Sequence, residues 1–315
     1  MRLIEFKDHF PNEKACEQHW RNERESVGIT CKKCLKEAHY WIEGKSMWQC
    51  KDRNCKFRTS LKSGTVMENS NLSISIWYIA MHLMTSSKNN ISALELQRQL
   101  GMKYYQPVFE MAHKLRIIMG KREDKYTLEG NVELDEGFFS NSKPLEINEF
   151  TGETEALKRG KGSQKKTAVL VMHSFKKVPI SLQKSKHSKN TIPKFLKMKV
   201  LYKIDSLEIN DTMKTQIEKK ADLVSDKNTA YKDLEMDYES HKPHNTKKVE
   251  ITKVLPWVHT AITNMKGAIY NVYKGITEPY MQNYMDEFCF KFNRRYFGTN
   301  IFDRLVISAV SYRWN

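Results

Sequence analysis

Four cysteines, Cys31, Cys34, Cys50 and Cys55, constrain this chain more than any other feature of its sequence. They form two close pairs, CKKC and CKDRNC, with fifteen residues between the pairs. Each pair is predicted to sit on a tight knuckle that turns two thiolates toward one tetrahedral ion, the arrangement of a zinc ribbon. The chain has 6 cysteines in 315 residues, so four at this spacing are a specific signal. Two disulfides in a secreted protein are the rival reading. The stretch MRLIEFKDHFPNEKACEQHW, with no apolar run followed by a cleavage site, argues against it.

The length suits two or three domains with real cores, and 40% apolar and 11% aromatic residues mark a globular chain. The formal net charge of +16 calls for a polyanionic partner, either nucleic acid or an anionic membrane surface. Residues 69–87 carry no charge and are long enough to span a bilayer. Asn69, Asn71, His82 and several Ser and Thr interrupt them, while Leu72, Ile76, Ile79, Ala80, Leu83 and Met84 recur at helical spacing, as in a soluble core helix. No membrane partner is expected, and the expected location is the cytoplasm.

Residues 1–30 read as one amphipathic helix ending near Gly28, with Cys16 and His19 as core residues rather than metal ligands. Residues 31–65 are the ribbon. HYWIEGKSMWQC suits a hairpin, with Tyr40 and Trp48 around the metal site and Lys51, Arg53, Lys56, Arg58 and Lys62 as a basic rim. Residues 66–125 read as a helical region whose second half has the pattern helix, Gly101 turn, helix, that of a helix-turn-helix.

NVELDEGFF then reads as a strand, followed by a polar insert over 140–165 that contains KRGKGSQKK. KTAVLVMHSF and KVPISLQKS are two strands of a meander. NTIPKFLKMKV reads as a helix capped by Asn190 or Thr191, with Pro193 in its first turn. ADLVSDKNTAY is a buried strand ending in Asp226, and the stretch from Leu255 to Phe297 is largely helical.

Asp135 and Asp226 each close a short apolar run. As ordinary strand ends they need mean nothing. Brought together, two such carboxylates call for a cation, and hard oxygen ligands suit Mg²⁺ or Mn²⁺.

The chain as a whole resembles the bacterial insertion-sequence transposases that join an N-terminal zinc ribbon to an ISXO-type DDE domain of ribonuclease-H-like (retroviral-integrase) fold. The resemblance runs from about residue 8 to 305. It rests on CKKC with WQCKDRNC, FRTSLKSGTVMENSNLSISIWYIAMHLM, ISALELQRQLGMKYYQPVFEMAHKLR, VELDEGFF, LVSDKNTAY, LPWVHTAITNMKGAIYNVYKGI and YMQNYMDEFCFKFNRRYF. It implies an α+β multidomain chain: an N-terminal helical segment (1–30), the ribbon (31–65), a helical DNA-binding region (66–125) and a mixed-sheet catalytic domain (130–310).

The resemblance also implies roles. Asp135 matches the first catalytic aspartate, Asp226 the second, and Lys266 the basic residue that follows the third ligand by seven positions. His259 then stands where the common pattern has Glu, a known variation in this family. Seven residues are two helical turns, so His259 and Lys266 share a face. Imidazole ligates Mn²⁺ well and Mg²⁺ poorly, so His259 is either a weak ligand or a water-positioning group. Asn264 and Glu287 are the rivals for the third position, and Arg294 and Arg295 add a basic helix end.

The implied activity is metal-dependent hydrolysis and strand transfer at element ends. Structural Zn²⁺ and catalytic Mg²⁺ or Mn²⁺ are the cofactors. Terminal inverted repeats, target DNA and further copies of the chain are the partners, at the bacterial nucleoid. The alternative is a domesticated, catalytically inactive zinc-ribbon DNA-binding protein.

Overall fold

The computed structural model describes residues 1–142, 165–179, 190–226, 231, 238, 240–244 and 254–313. By its contacts the chain forms two units, one of Met1–Arg122 with Arg294–Asn315 and one of Glu123–Asn293.

The first thirty residues are two helices, α1 (Leu3–His9) and α2 (Glu13–Val27), not the single helix expected. Pro11 disfavours helical backbone at Phe10, and the Asn12 side chain opens α2 by accepting from the Ala15 N–H at 3.0 Å. Trp20 of α2 is fully buried and donates to the Leu61 carbonyl at 2.9 Å. Cys16 and His19 are core residues, as expected. Burial pushes the Cys16 thiol up to about 12, and His19 Nδ1 lies 2.8 Å from the Tyr78 hydroxyl.

The ribbon is a three-stranded antiparallel sheet of β1 (His39–Ile42), β2 (Met47–Cys50) and β3 (Arg58–Ser60). Arg24 of α2 fastens it, donating at 2.8 Å to the carbonyls of Ser60 and Leu61, with its guanidinium 4.9 Å above Trp48.

Helices α3 (Ile74–Ser86), α4 (Ala93–Leu100) and α5 (Tyr105–Glu123) follow. No helix among the described residues is long and apolar enough to cross a membrane. The buried side of α3 differs from the expected stripe: Trp77, Tyr78 and Met81 are covered, whereas Ile79 is 37% exposed. The aromatic ring of Tyr78, packed among Phe10, His19, Trp20 and Phe302, selects that side. Gly101 turns α4 toward α5 in the left-handed region (φ 62°), and Gln97 closes the turn by donating to Met102 and Lys103 carbonyls.

The second unit holds β4 (Asn131–Ser140), β5 (Lys166–Lys177), β6 (Thr191–Leu201), α6 (Ser206–Gln216), β7 (Asp222–Asp226), β8 (Ser240–His244), α7 (Pro256–Ala268) and α8 (Met281–Asn293). The sheet order is β6-β5-β4-β7-β8. The first three strands form an antiparallel meander, and β7 and β8 run parallel to β4, the ribonuclease-H-like arrangement. One sheet face packs Val132, Leu134, Leu170 and Met172 with α6, and the other packs Phe139, Val169, Val171 and Leu196 with α7 and α8.

Residues 190–200, expected as a helix, instead form most of strand β6 (Thr191–Leu201). Leu196, Met198 and Val200 alternate with Lys197 and Lys199, and Pro193 is tolerated because β6 is a sheet edge. Its outer edge is covered by side-chain amides of α8. Asn293 accepts from the Leu196 N–H at 2.7 Å and donates to its carbonyl at 2.9 Å. Gln282 accepts from the Val200 N–H at 2.8 Å and donates to the Met198 carbonyl at 3.0 Å. The basic loop KRGKGSQKK falls almost wholly, and the strand KVPISLQKS mostly, outside the described residues.

Asp286, which accepts from Gln282 at 2.8 Å, is buried in this seam. Burial pushes its carboxyl up to about 7, against the pull of Lys199 and the Gln282 bond. A carboxyl raised above its unfolded value contributes stability that is complete below that value and lost as pH rises through 7. This unit should therefore be more stable at pH 5 than at pH 8. Asp286→Asn is expected to remove about 2–3 kcal/mol of the difference, read from urea midpoints at the two pH values.

The last helix, α9 (Ile301–Ser311), belongs to the first unit, where it contacts α2 and α3. Of the two residues in the basic helix end, Arg294 is buried and Arg295 is not.

Candidate functional site

The four cysteines converge. Their sulfurs all lie within 4.8 Å of one another, Cys31 Sγ being 3.6 Å from Cys55 Sγ and Cys34 Sγ 3.5 Å from Cys50 Sγ. Sulfurs bound 2.3 Å from one tetrahedral ion stand about 3.8 Å apart, whereas a disulfide needs about 2 Å. The set can therefore hold zinc and is not two disulfides. In each knuckle the residue after the second cysteine, Leu35 (φ 60°) or Lys56 (φ 48°), is left-handed, which curls the chain around the sulfurs. Amide hydrogens of Cys34 and Lys33, with the neighbouring thiols, outweigh the effect of burial and lower the Cys31 thiol to about 6.

Around the ribbon, Lys51, Arg53, Lys56 and Arg58 are exposed. Lys62 is not part of that rim, because its ammonium donates to the carbonyls of Ser70 and Leu72. Tyr40 is 46% exposed, and Trp48 packs against Trp41 with ring centroids 4.9 Å apart.

In the second unit, β4 and helix α7 run along one another. Successive residues of one strand face, Glu133, Asp135, Gly137 and Phe139, meet Trp257 and Val258, His259, Ile262 and Lys266 in turn. A Cβ on Gly137 would lie 3.2 Å from Ile262 Cγ1 and 2.6 Å from the Phe139 ring, so the bare glycine admits the helix. The β4–β7 register runs to Leu134 opposite Ser225, which makes Asp135 and Asp226 the next residues of adjacent parallel strands. Asp226 is in turn paired with His244 of β8, a residue the sequence reading did not single out.

The structure thus brings together Asp135, Asp226, His259 and Lys266. Burial, then the charges of Asp226 and Glu136, push the Asp135 carboxyl up to about 7, and Lys266 pulls against them. His259 Nε2 stands 3.6 Å from Asp135 Oδ2 and is buried without a hydrogen-bond partner. Burial, then Lys266, push its pKa below the ordinary value, so the imidazole is neutral at pH 7 with a lone pair to offer. A crowded carboxylate and an unsatisfied imidazole nitrogen are the donor set a divalent cation would relieve. On the opposite sheet face the buried Tyr231 is held protonated by burial and by Glu136, Asp135 and Asp226.

The rivals for the third position stand apart. Glu287 is fully buried in α8, where it accepts from the Tyr273 hydroxyl at 3.2 Å, and Asn264 is exposed on α7. Glu133 was missed, although its two-residue separation from Asp135 places it on the same strand face.

The model of the ISXO2-like transposase domain matches residues 127–293 of the chain. The chain belongs to the ISXO2-like transposase family. The matched segment nearly coincides with the contact unit Glu123–Asn293 and ends where α8 ends. This transposase therefore falls in the polynucleotidyl transferase class, and DNA transposition is its function. Two solved structures show a weak likeness. A pre-cleavage Mos1 transpososome is 11% identical over 75% of this chain and 78% of that one, with a TM-score of 0.30. A Mos1 transposase paired-end complex with left transposon end is 11% identical over 75% and 79%, with a TM-score of 0.28. Scores this low carry no weight for fold or function. No curated protein matches the transposase.

Proposed function

We propose that this transposase cuts the ends of its insertion sequence and joins them to target DNA, with Asp135, Asp226 and His259 holding Mg²⁺ or Mn²⁺ and Lys266 gripping a phosphate. The buried, partnerless Nε2 of His259 beside the Asp135 carboxylate carries this reading. Water breaks a phosphodiester at the element end and frees a 3′-hydroxyl. That hydroxyl then attacks a target phosphodiester and expels the target's own 3′ oxygen. Divalent ions, when bound, supply Lewis-acid activation and neutralise developing charge.

The protein supplies the rest. Asp135 and Asp226 are fixed by paired strands, and neutral His259 presents its lone pair from α7. Lys266, two turns along the same helix, orients the phosphate. The Cys31, Cys34, Cys50 and Cys55 set holds a structural zinc. Its exposed basic residues and the α4–α5 turn contact the terminal inverted repeats, and two copies meet at paired ends on the bacterial nucleoid.

The test is to incubate the protein with Mn²⁺ or Mg²⁺ and a duplex carrying the element's ends. Nicking at the element boundary and joining to a second duplex are expected. Tight end binding without cleavage in either metal would remove the enzymatic reading and leave a DNA-binding protein.

A further inference from the structure

The geometry points to Glu133 as a positioning residue that clamps helix α7 so that His259 is held over Asp135. Helix α7 lacks a cap of its own. Its N-cap residue is Leu255, which has no side-chain acceptor, and Pro256 in the first position has no N–H. The His259 N–H is satisfied within the helix by the Leu255 carbonyl at 3.2 Å. That leaves the amides of Trp257 and Val258, which lie in the first turn and point out of the helix end.

Glu133 takes both. Its Oε2 accepts from Trp257 N at 2.8 Å and from Val258 N at 2.9 Å, across more than 120 residues of sequence. The carboxyl is 2% exposed, so water does not compete for these donors. The Trp257 side chain adds a second fastening. Its indole donates to Thr191 Oγ1 at 2.9 Å and its ring lies 6.1 Å from His173, the register partner of Glu133 on β5.

The consequence is geometric. Glu133 and Asp135 are two residues apart on one rigid strand face, and the residues Glu133 grips immediately precede His259. One strand therefore carries both a metal-ligand candidate and the bracket for its partner on the helix. What Glu133 contributes is an acceptor oxygen at the right reach. Its charge is not needed for that.

The inference rests on His259 acting beside Asp135, and two variants separate reach from charge. Glu133→Gln keeps a carbonyl oxygen at the same distance and should nick end DNA within about threefold of wild type. Glu133→Asp keeps the charge but withdraws it by one methylene. It should lose roughly 10–100-fold in single-turnover nicking, as a displacement of about an ångström costs. Both should bind end DNA as tightly as wild type. Hydrogen exchange should show the Trp257 and Val258 amides faster in Glu133→Asp and unchanged in Glu133→Gln.

Wild-type rates and exchange in Glu133→Asp would overturn the inference. So would a loss in Glu133→Gln equal to or greater than that in Glu133→Asp. If the wild-type protein nicks no DNA, the proposed function fails, and the exchange measurement still decides whether Glu133 holds the helix.

Discussion

Asp226→Asn should abolish nicking and joining while leaving end binding intact. The change removes one charge and almost no volume, at a residue that closes β7 beside Asp135. A carboxylate that helps hold a divalent ion cannot be replaced by a neutral amide without weakening the ion and the charge stabilisation it brings. A loss of at least about 10³-fold in rate, roughly 4 kcal/mol of transition-state stabilisation, is expected in Mn²⁺. Stability should move the other way. Asp135 is raised to about 7 partly by the Asp226 charge, so without metal that repulsion weakens the fold above pH 7. The metal-free variant should then melt higher than wild type at pH 8. Cleavage within about tenfold of wild type would take Asp226 out of the site.

Removing zinc should produce the second large effect, confined to the other end of the chemistry. The ribbon's strands are 4, 4 and 3 residues long, and within residues 31–65 the buried side chains are Cys31, Trp48, Cys50, Thr59, Leu61 and Thr65. So small a layer is expected to depend on a bound ion, whose binding is worth on the order of 10 kcal/mol in comparable modules. A chelator, or Cys50→Ser, should expose Trp48 to water and shift its fluorescence to the red. End affinity should fall about tenfold or more as Lys51, Arg53, Lys56 and Arg58 lose their common scaffold. Strand transfer from a pre-nicked end should suffer much less. Native mass spectrometry should find one zinc per chain. Equal loss of binding and of transfer would mean that the ribbon serves folding rather than recognition.

What could be read from the sequence was what is local. Cysteine spacing dictates a four-sulfur cluster because each pair needs only its own turn, and the strands carrying Asp135 and Asp226 announce themselves by apolar runs, although β4 continues past Asp135 to Ser140. The order helix, Gly101 turn, helix was legible for the same reason, since a glycine can take the left-handed turn locally. Strand β6 was not. Asn190, Thr191 and Pro193 imitate a helix start, and the alternation of Leu196, Met198 and Val200 with lysines acquires meaning only beside β5. Lys62 looked like part of a basic rim until the fold supplied two carbonyls for it. Glu133 was hidden most deeply, because the amides it receives belong to a helix far along the chain.

The amides of Asn293 and Gln282 have a consequence for assembly. Four backbone groups along the outside of β6 are already engaged by them, in the pattern a neighbouring strand would use. A strand brought alongside would find these four groups already taken. That flank of this transposase is therefore protected against sheet extension by any neighbouring strand, another copy of the chain included.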